Sequence, residues 1–376
     1  MTTDIHHILF SVIRVGMNHE MPFPSLSYGD CKTLIQIGAK QSILPIIHRG
    51  LKEAGAPAEV VEECDKVRLK DTRQYIIQND ALQKIGRALD REQIPYIPLK
   101  GAVLRQLYPA PELRTSCDID VLIKEDDVEI AIAAIKKATD FVKKKRNYHD
   151  ISMVNSQVHL ELHFSILENM ENVDKLLSRV WDYAVPDVGS RYKLIPEFQI
   201  FHIVAHMSYH MVHGGLGIRP FLDLWLLRTK TNYNEETVRR MCYDCSILLF
   251  YEKCCDLVDS WMAGNSVSED LMIFEDYVLN GGVFGNKENA LASRQRKHRG
   301  FSYFFYRVFM SKSLLEAEYP ELKVKSYLLP IYQMKRWLRL LNSKKREQVW
   351  KEISSVRTMN ASEIDSFDKL LVSLGL

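Results

Sequence analysis

The chain reads as an α+β protein: a small mixed β-sheet with helical regions before and after it. Three observations predict this. Apolar residues recur at helical spacing up to about Asp90. The texture between Ile94 and Phe164 then changes to short runs that alternate apolar and polar residues. Beyond Glu168 the helical period returns almost to the end. With 376 residues, 46% hydrophobic and 26% charged, the chain has the make-up of an ordinary globular protein of two or three packed units. The expected division is a helical region over 1–92, a sheet core over 93–168 and a second helical region over 169–376.

In the first region, Ile8, Leu9, Val12 and Ile13 make one apolar stripe, and Leu34, Ile35, Leu44, Ile46 and Ile47 make others. Pro22, Pro24, Gly50 and Gly55 break them, and Glu63 to Leu89 reads as one long amphipathic helix. In the core, Ile94 to Lys100 is short and proline-marked, hence a strand. Ala102 to Tyr108 reads as a helix, Asp118 to Ile123 as a strand, Asp126 to Ala138 as a helix and Phe141 to Lys145 as a further strand. Ile151 to Val154 and Val158 to Phe164 read as a hairpin turning at Asn155-Ser156. Pro196 to Leu227 is a periodic stretch interrupted at Gly214-Gly215-Leu-Gly217, and Glu235 to Met262 is another. A loop near Gly281-Gly282 and Gly285 then precedes aromatic-rich helices over 298–342.

Several function classes are disfavoured. Lys+Arg 50 against Asp+Glu 48 gives +2, so no global field recruits nucleic acid. The amino terminus lacks a basic start and a long apolar core, no apolar run reaches bilayer length, and seven irregularly spaced cysteines suit a reducing compartment. The expected location is the cytoplasm, with no membrane partner. No Gly-x-x-x-x-Gly-Lys-Ser/Thr loop is present, and Gly214-Gly215-Leu-Gly217 follows no strand, so it reads as a turn between helices. Cys242, Cys245, Cys254 and Cys255 lie inside helical periodicity and read as buried small hydrophobes.

The chemistry concentrates in acids on strands. Side chains alternate along a strand, so Asp118 and Asp120 share one face while Ile119 and Val121 take the other. Glu161 shares a face with His159 and His163, opposite Val158, Leu160, Leu162 and Phe164. Like charges two residues apart repel, and a fold tolerates them mainly with a cation between them. A third acid from a neighbouring strand completes a hard oxygen set suited to magnesium or manganese. Upstream, Leu99-Lys100-Gly101 ends a strand and opens a helix, where backbone N–H groups and a lysine can hold phosphate, and Arg114 is near enough to neutralise a phosphate or a carboxylate.

These residues carry a resemblance. Leu99-Lys100-Gly101, Tyr108-Pro109, Leu113-Arg114, Asp118-Ile-Asp120-Val-Leu-Ile and Leu160-Glu161-Leu-His163 resemble the nucleotidyltransferase-fold proteins of the polymerase-beta superfamily, in their largely uncharacterised branch. His206-Met-Ser-Tyr-His210, Gly215-Leu-Gly217-Ile-Arg219, Leu222-Asp223-Leu-Trp-Leu-Leu227 and the segment around Leu328-Leu-Pro330 and Arg336-Trp337 are similar to the same branch. The resemblance implies transfer of a nucleoside monophosphate from an NTP such as ATP, with diphosphate released. Asp118 and Asp120 would hold two Mg2+ (or Mn2+) ions, and Glu161 would hold the catalytic ion and help deprotonate the acceptor. Lys100, Gly101, Arg114 and His163 fall to the nucleotide side. The wider superfamily presents Gly-Ser closer to its acidic pair. Here Lys100-Gly101 stands at that turn, with Lys100 as a charge on the phosphates in place of a serine hydroxyl.

His202, His206 and His210 recur every four residues, so they stack on one helix face, with His213 beyond. Zinc is disfavoured because no His-Glu-x-x-His pattern appears. Packed histidines at a domain contact are one reading. A helix over the cleft, with His206, His210, Arg219 and Asp223 facing the nucleotide or acceptor, is the other. Lys143 to Arg146, Arg294 to Arg299 and Lys344 to Arg346 read as solvated faces. Phe301, Tyr303, Phe304, Phe305, Tyr306 and Phe309 beside Arg299 and Arg307 read as core or as a surface for stacked bases. The acceptor is a small hydroxylated metabolite, a protein side chain or an RNA end, nucleic acid being the less favoured. Two rivals remain: a helical binding protein that senses nucleotide without chemistry, and a metallohydrolase built on the 202–213 histidines.

Overall fold

The computed structural model describes residues 2–19, 26–213, 215–281, 315, 319, 322, 325–340 and 361–376. Four helices open the chain: α1 (Thr2–Gly16), α2 (Tyr28–Lys40), α3 (Leu44–Glu53) and α4 (Ala58–Arg91). Ser27 starts α2 with a capping box, its hydroxyl accepting from the Asp30 N–H while the Asp30 carboxylate accepts from the Ser27 N–H. Pro45 sits in the first turn of α3, where a missing N–H costs nothing. The long helix expected over Glu63 to Leu89 extends to both sides and stops at Gln93, which takes φ 55°, ahead of Pro95.

A five-stranded sheet follows, built from β1 (Tyr96–Pro98), β2 (Asp118–Ile123), β3 (Val142–Arg146), β4 (Asp150–Val154) and β5 (His159–His163). Its order is β1-β2-β5-β4-β3. The sheet is mixed: β2 and β5 run parallel, and the other neighbours are antiparallel. The hairpin read at Asn155 is present, with the Asn155 side chain accepting from the Gln157 and Val158 N–H groups. Between Gly101 and Leu107, a four-residue helix, α5 (Gly101–Leu104), tightens into a 3-10 turn, so the helix expected over Ala102 to Tyr108 is shorter than its apolar spacing suggests. Pro109 and Pro111 follow at once and prevent extension.

The sheet's apolar face carries Ile119, Val121, Ile123, Ile151, Met153, Leu160 and Leu162. It is covered by Ala81, Ile85 and Leu89 of α4 and by Val128, Ala131, Ile132 and Ile135 of α6 (Val128–Ala138). The acidic face is left toward the C-terminal helices. After α7 (Glu171–Leu177), a small hairpin, β6 (Ala184–Pro186) with β7 (Tyr192–Leu194), interrupts the region expected to be helical. Its strands are three residues each, too short to show a period. Gly189 at φ 60° makes the turn, and the Ser190 N–H reaches Asp90 at the end of α4.

Helices α8 (Pro196–Val212), α9 (Ile218–Lys230), α10 (Glu235–Asp244), α11 (Leu248–Ala263) and α12 (Glu269–Gly281) complete the main body, and helices over Leu329–Leu340 and Ala361–Ser373 come later. The stretch Glu235 to Met262 is two helices, broken where Ser246 takes φ 61°. The four cysteines of this region are buried, and every cysteine is free. The early and late helices share one core: Phe10 stacks on Trp261 at 4.4 Å, and Arg14 donates to the Trp261 carbonyl at 2.6 Å. The loop near Gly282 and Gly285, the aromatic run Phe301 to Phe309 and the basic stretches 294–299 and 344–346 lie outside the described residues.

The N-terminal layer depends on a close helix crossing. A methyl group added at Gly50 of α3 would strike the Val12 carbonyl of α1, and one at Gly16 would strike the Ile46 carbonyl. Backbone cannot swing aside as a side chain can. Gly50→Ala should therefore destabilise the fold by about 3 kcal/mol, seen as an earlier urea midpoint at unchanged slope.

Candidate active site

The parallel pairing of β2 with β5 sets Asp118 opposite His159 and Asp120 opposite Glu161, all on one face. A carboxylate oxygen of Asp120, one of Glu161 and a ring nitrogen of His163 lie within 4.8 Å of one another, as do donor atoms of Asp118, His159 and Glu161. His163 Nε2 lies 2.9 Å from Asp120 and 3.4 Å from Glu161, so one imidazole joins the two acids. Among the described residues, these two groups are where three ligating side chains come close enough to share an ion.

The turn after β1 delivers the cation. The Leu99 N–H donates to the Asp120 carbonyl at 3.0 Å, which fixes the next residue beside that carboxylate. Lys100 takes φ 43° and ψ −116°, a strained conformation for a residue with a Cβ, and its Nζ stands 3.6 Å from Asp120. A Cβ at Gly101 would lie 2.7 Å from Arg114 Nη1 and 2.9 Å from Ser116 Oγ, so a larger residue there would displace both side chains. Ser116 in turn donates to the carboxylate and the backbone carbonyl of Asp118, at 3.0 and 2.9 Å.

Helices α8 and α9 form the roof. The buried Arg114 donates through Nε and Nη2 to both oxygens of Asp223, each at 2.8 Å, and the Tyr108 hydroxyl donates to the same carboxylate at 2.8 Å. Arg219 donates to the Thr115 carbonyl at 3.2 Å. These bonds tie α9 to the segment leading into β2. On α8, His206 Nδ1 meets Glu168 at 2.7 Å and its Nε2 meets His210 at 3.0 Å. A cavity of about 250 Å³ opens between sheet and roof. Lys100, Gly101, Arg114, Asp118, Asp120, Glu161, His206, His210, Arg219 and Asp223 all line it, with Ser116 and His202. His163 is the sequence-predicted residue that lies outside the lining, buried behind Asp120.

The profile of a family described as uncharacterised nucleotidyltransferase matches residues 28–263. The chain belongs to that family. No curated protein and no solved structure gives a match. The matched span runs from α2 to the end of α11, so it takes in the sheet and the helical roof, which together make this nucleotidyltransferase family member's cavity.

The site's electrostatics follow from crowding. Burial and the neighbouring Asp120 and Glu161 push the Asp118 carboxyl up. Burial opposes charge on Asp120 as well, but Lys100 and the His163 hydrogen bond overcome it and hold that carboxyl well below the ordinary range. The His163 bond lowers Glu161 too. Burial resists the imidazolium of His163, yet its two acidic partners raise it to about 9. On the roof the balance reverses. Burial and the Lys100 charge push His202 down to about 3, and burial with His206 does the same to His210, so both are neutral bases near pH 7.

Ser116, Glu168 and Tyr108 carry contacts that sequence reading left unassigned. Ser116 had a signal, since two residues before Asp118 on an extended segment is the same face. Glu168 had none: it lies on a loop, 38 positions from the histidine it meets. The histidine-only zinc reading gains no support, because the described metal-competent groups lie on the strands.

Two outcomes follow. Asp223→Asn strands the buried Arg114 charge and should cost about 3–5 kcal/mol in urea unfolding, whereas Arg114→Met with Asp223→Leu should recover much of that loss. The buried His202 binds its proton near pH 6.5 when unfolded and near 3 when folded, so its contribution is complete above pH 6.5 and lost as pH falls. Between pH 7 and 5 the loss should approach about 2 kcal/mol, and His202→Gln should flatten that part of the stability curve.

Proposed function

We propose that this chain is a divalent-metal-dependent nucleotidyltransferase that moves a nucleoside monophosphate from an NTP to an acceptor and releases diphosphate. The observation that carries this reading is the in-register placement of Asp118, Asp120 and Glu161 on neighbouring parallel strands, under a cavity lined by Lys100 and Arg219. The donor set fits the ions. Asp118 with Glu161, and Asp120 with Glu161, each bring two hard carboxylates within ion-sharing distance beside a histidine. Asp118 is raised by burial and then by Asp120 and Glu161, charges that a bound cation would offset. Asp118, Asp120 and Glu161 would hold Mg2+ or Mn2+, which when bound supply activation of the attacking oxygen and charge stabilisation on the leaving diphosphate.

The chain's own residues divide the remaining work. Lys100, fixed by its strained turn, presents a charge to the phosphates from the cavity floor, and Arg219 presents one from the roof. Arg114 is committed to Asp223 through two of its nitrogens, leaving Nη1 beside Gly101 as its phosphate-facing donor. His206 is committed through both ring nitrogens to Glu168 and His210 and so holds the neutral His210, whose Nδ1 is the nitrogen offered to the sugar or the acceptor. At about 250 Å³ the cavity is smaller than the ~300–1,000 Å³ of sites that enclose a whole ligand. That suits a polyphosphate within and a base toward the mouth. The seven free cysteines support a cytoplasmic setting, and no described helix is long and apolar enough to cross a membrane.

The test is transfer from labelled NTPs, with Mg2+ or Mn2+, into a cell extract or onto the protein itself. Wild type should label an acceptor and release diphosphate, and Asp118→Ala or Asp120→Ala should reduce that by about 10³-fold or more, as loss of a group central to charge stabilisation does. The unfolding midpoint should be unchanged or higher for Asp118→Ala and lower for Asp120→Ala, which leaves Lys100 and His163 without their buried partner. NTP binding with no labelling and no diphosphate from wild type would point to a non-catalytic nucleotide-binding protein.

A further inference from the structure

His159 is absent from the roles assigned so far, yet it sits where they converge. It is paired in register with Asp118 across β2 and β5 and shares a face with Glu161. One of its ring nitrogens lies within 4.8 Å of carboxylate oxygens of both acids. The ring is also held: Nε2 meets the Ser152 hydroxyl at 2.8 Å, and Ser152 stands opposite Glu161 on β4. With Nε2 taken by Ser152, the nitrogen left for an ion is Nδ1, and a ligating imidazole held at its other nitrogen by a polar partner is the usual outer support of a metal site. His163 differs, because its Nε2 bridges Asp120 and Glu161 as a hydrogen-bonding partner.

We infer that the ion position between Asp118, His159 and Glu161 takes an imidazole nitrogen beside its carboxylate oxygens, and so selects Mn2+ over Mg2+. Magnesium holds oxygen donors and keeps its water shell, whereas manganese lies on the series that gains from nitrogen ligands. The inference rests on the metal-dependent reading above and names the ion for one of its two positions. It makes His159 a metal ligand and Ser152 a positioning residue.

The test is direct binding to the full chain rather than turnover. Mn2+ is titrated into the protein, alone and with a non-hydrolysable nucleoside triphosphate, and the bound ion is read by electron spin-echo envelope modulation. Wild type should show modulation from a coordinated imidazole nitrogen. His159→Gln should lose it and weaken Mn2+ binding at least about tenfold, and Ser152→Ala should weaken it by about tenfold with the modulation retained. His159→Asp restores a hard oxygen donor and should bring the Mn2+ and Mg2+ affinities together. Circular dichroism and unfolding midpoints establish that each variant is folded. Bound Mn2+ without nitrogen modulation, or modulation that persists in His159→Gln, overturns the His159 assignment and leaves the metal reading standing. Failure of wild type to bind Mn2+ with or without nucleotide overturns both.

Discussion

The constraint behind the site is electrostatic. Pairing β2 with β5 in parallel register forces Asp118, Asp120 and Glu161 onto one partly buried face, where they repel one another. The surroundings answer that repulsion unevenly. Asp120, the most buried, receives Lys100 and His163 and stays ionised, whereas Asp118, hydrogen-bonded to Ser116, is pushed up by burial and by Asp120 and Glu161. The residual strain therefore sits on Asp118, which lines the open space. Carboxyls shifted in opposite directions at one cavity are the electrostatic signature of a candidate functional site.

The roof is attached by a second charged device. Arg114 stands just ahead of β2, and Asp223 lies on α9, 109 positions later, and their bidentate pair closes the molecule over the acids. A buried ion pair of this kind adds little net stability, but loss of either partner leaves a bare buried charge. Tyr108 adds a hydroxyl to the same carboxylate, and Arg219, one turn before Asp223, fastens to Thr115. The geometry of α9, and through it of the α8 histidines, is thus set by polar contacts with the core rather than by apolar packing alone.

How much of this was legible follows from the range of each interaction. The period-2 alternation in Asp118 to Ile123 and in Val158 to Phe164 is local, so both strands and the face of every acid could be read from the sequence. The Asn155 turn and the long helix α4 were readable for the same reason. The hairpin of β6 and β7 was not, because three-residue strands carry no period. The break at Ser246 was not either, because a serine at positive φ leaves no compositional mark. Pairings such as Arg114 with Asp223 and Glu168 with His206 depend on the fold closing over long sequence distances, which hydrophobic pattern does not encode. The Lys100-Gly101 turn was visible as a motif, while its reason, the press of Arg114 and Ser116 against Gly101, appears only in three dimensions.

The places where the chain departs from good local chemistry all meet at one cavity. Lys100 holds a backbone conformation that glycine would adopt with less strain, neutral histidines are buried near a cation, and like charges are crowded on adjacent strands. Each costs free energy, on the order of 1–3 kcal/mol for a backbone of this kind. Two large apolar cores, one under the sheet and one joining the early and late helices, allow the fold to carry those costs. Nothing in packing requires a lysine at the turn or paired acids at the strand edge, since leucines elsewhere on the same strands pack without strain. Departures from local rules that converge on one cavity, and that share the theme of placing charge, are the pattern of a functional site rather than of a packing solution.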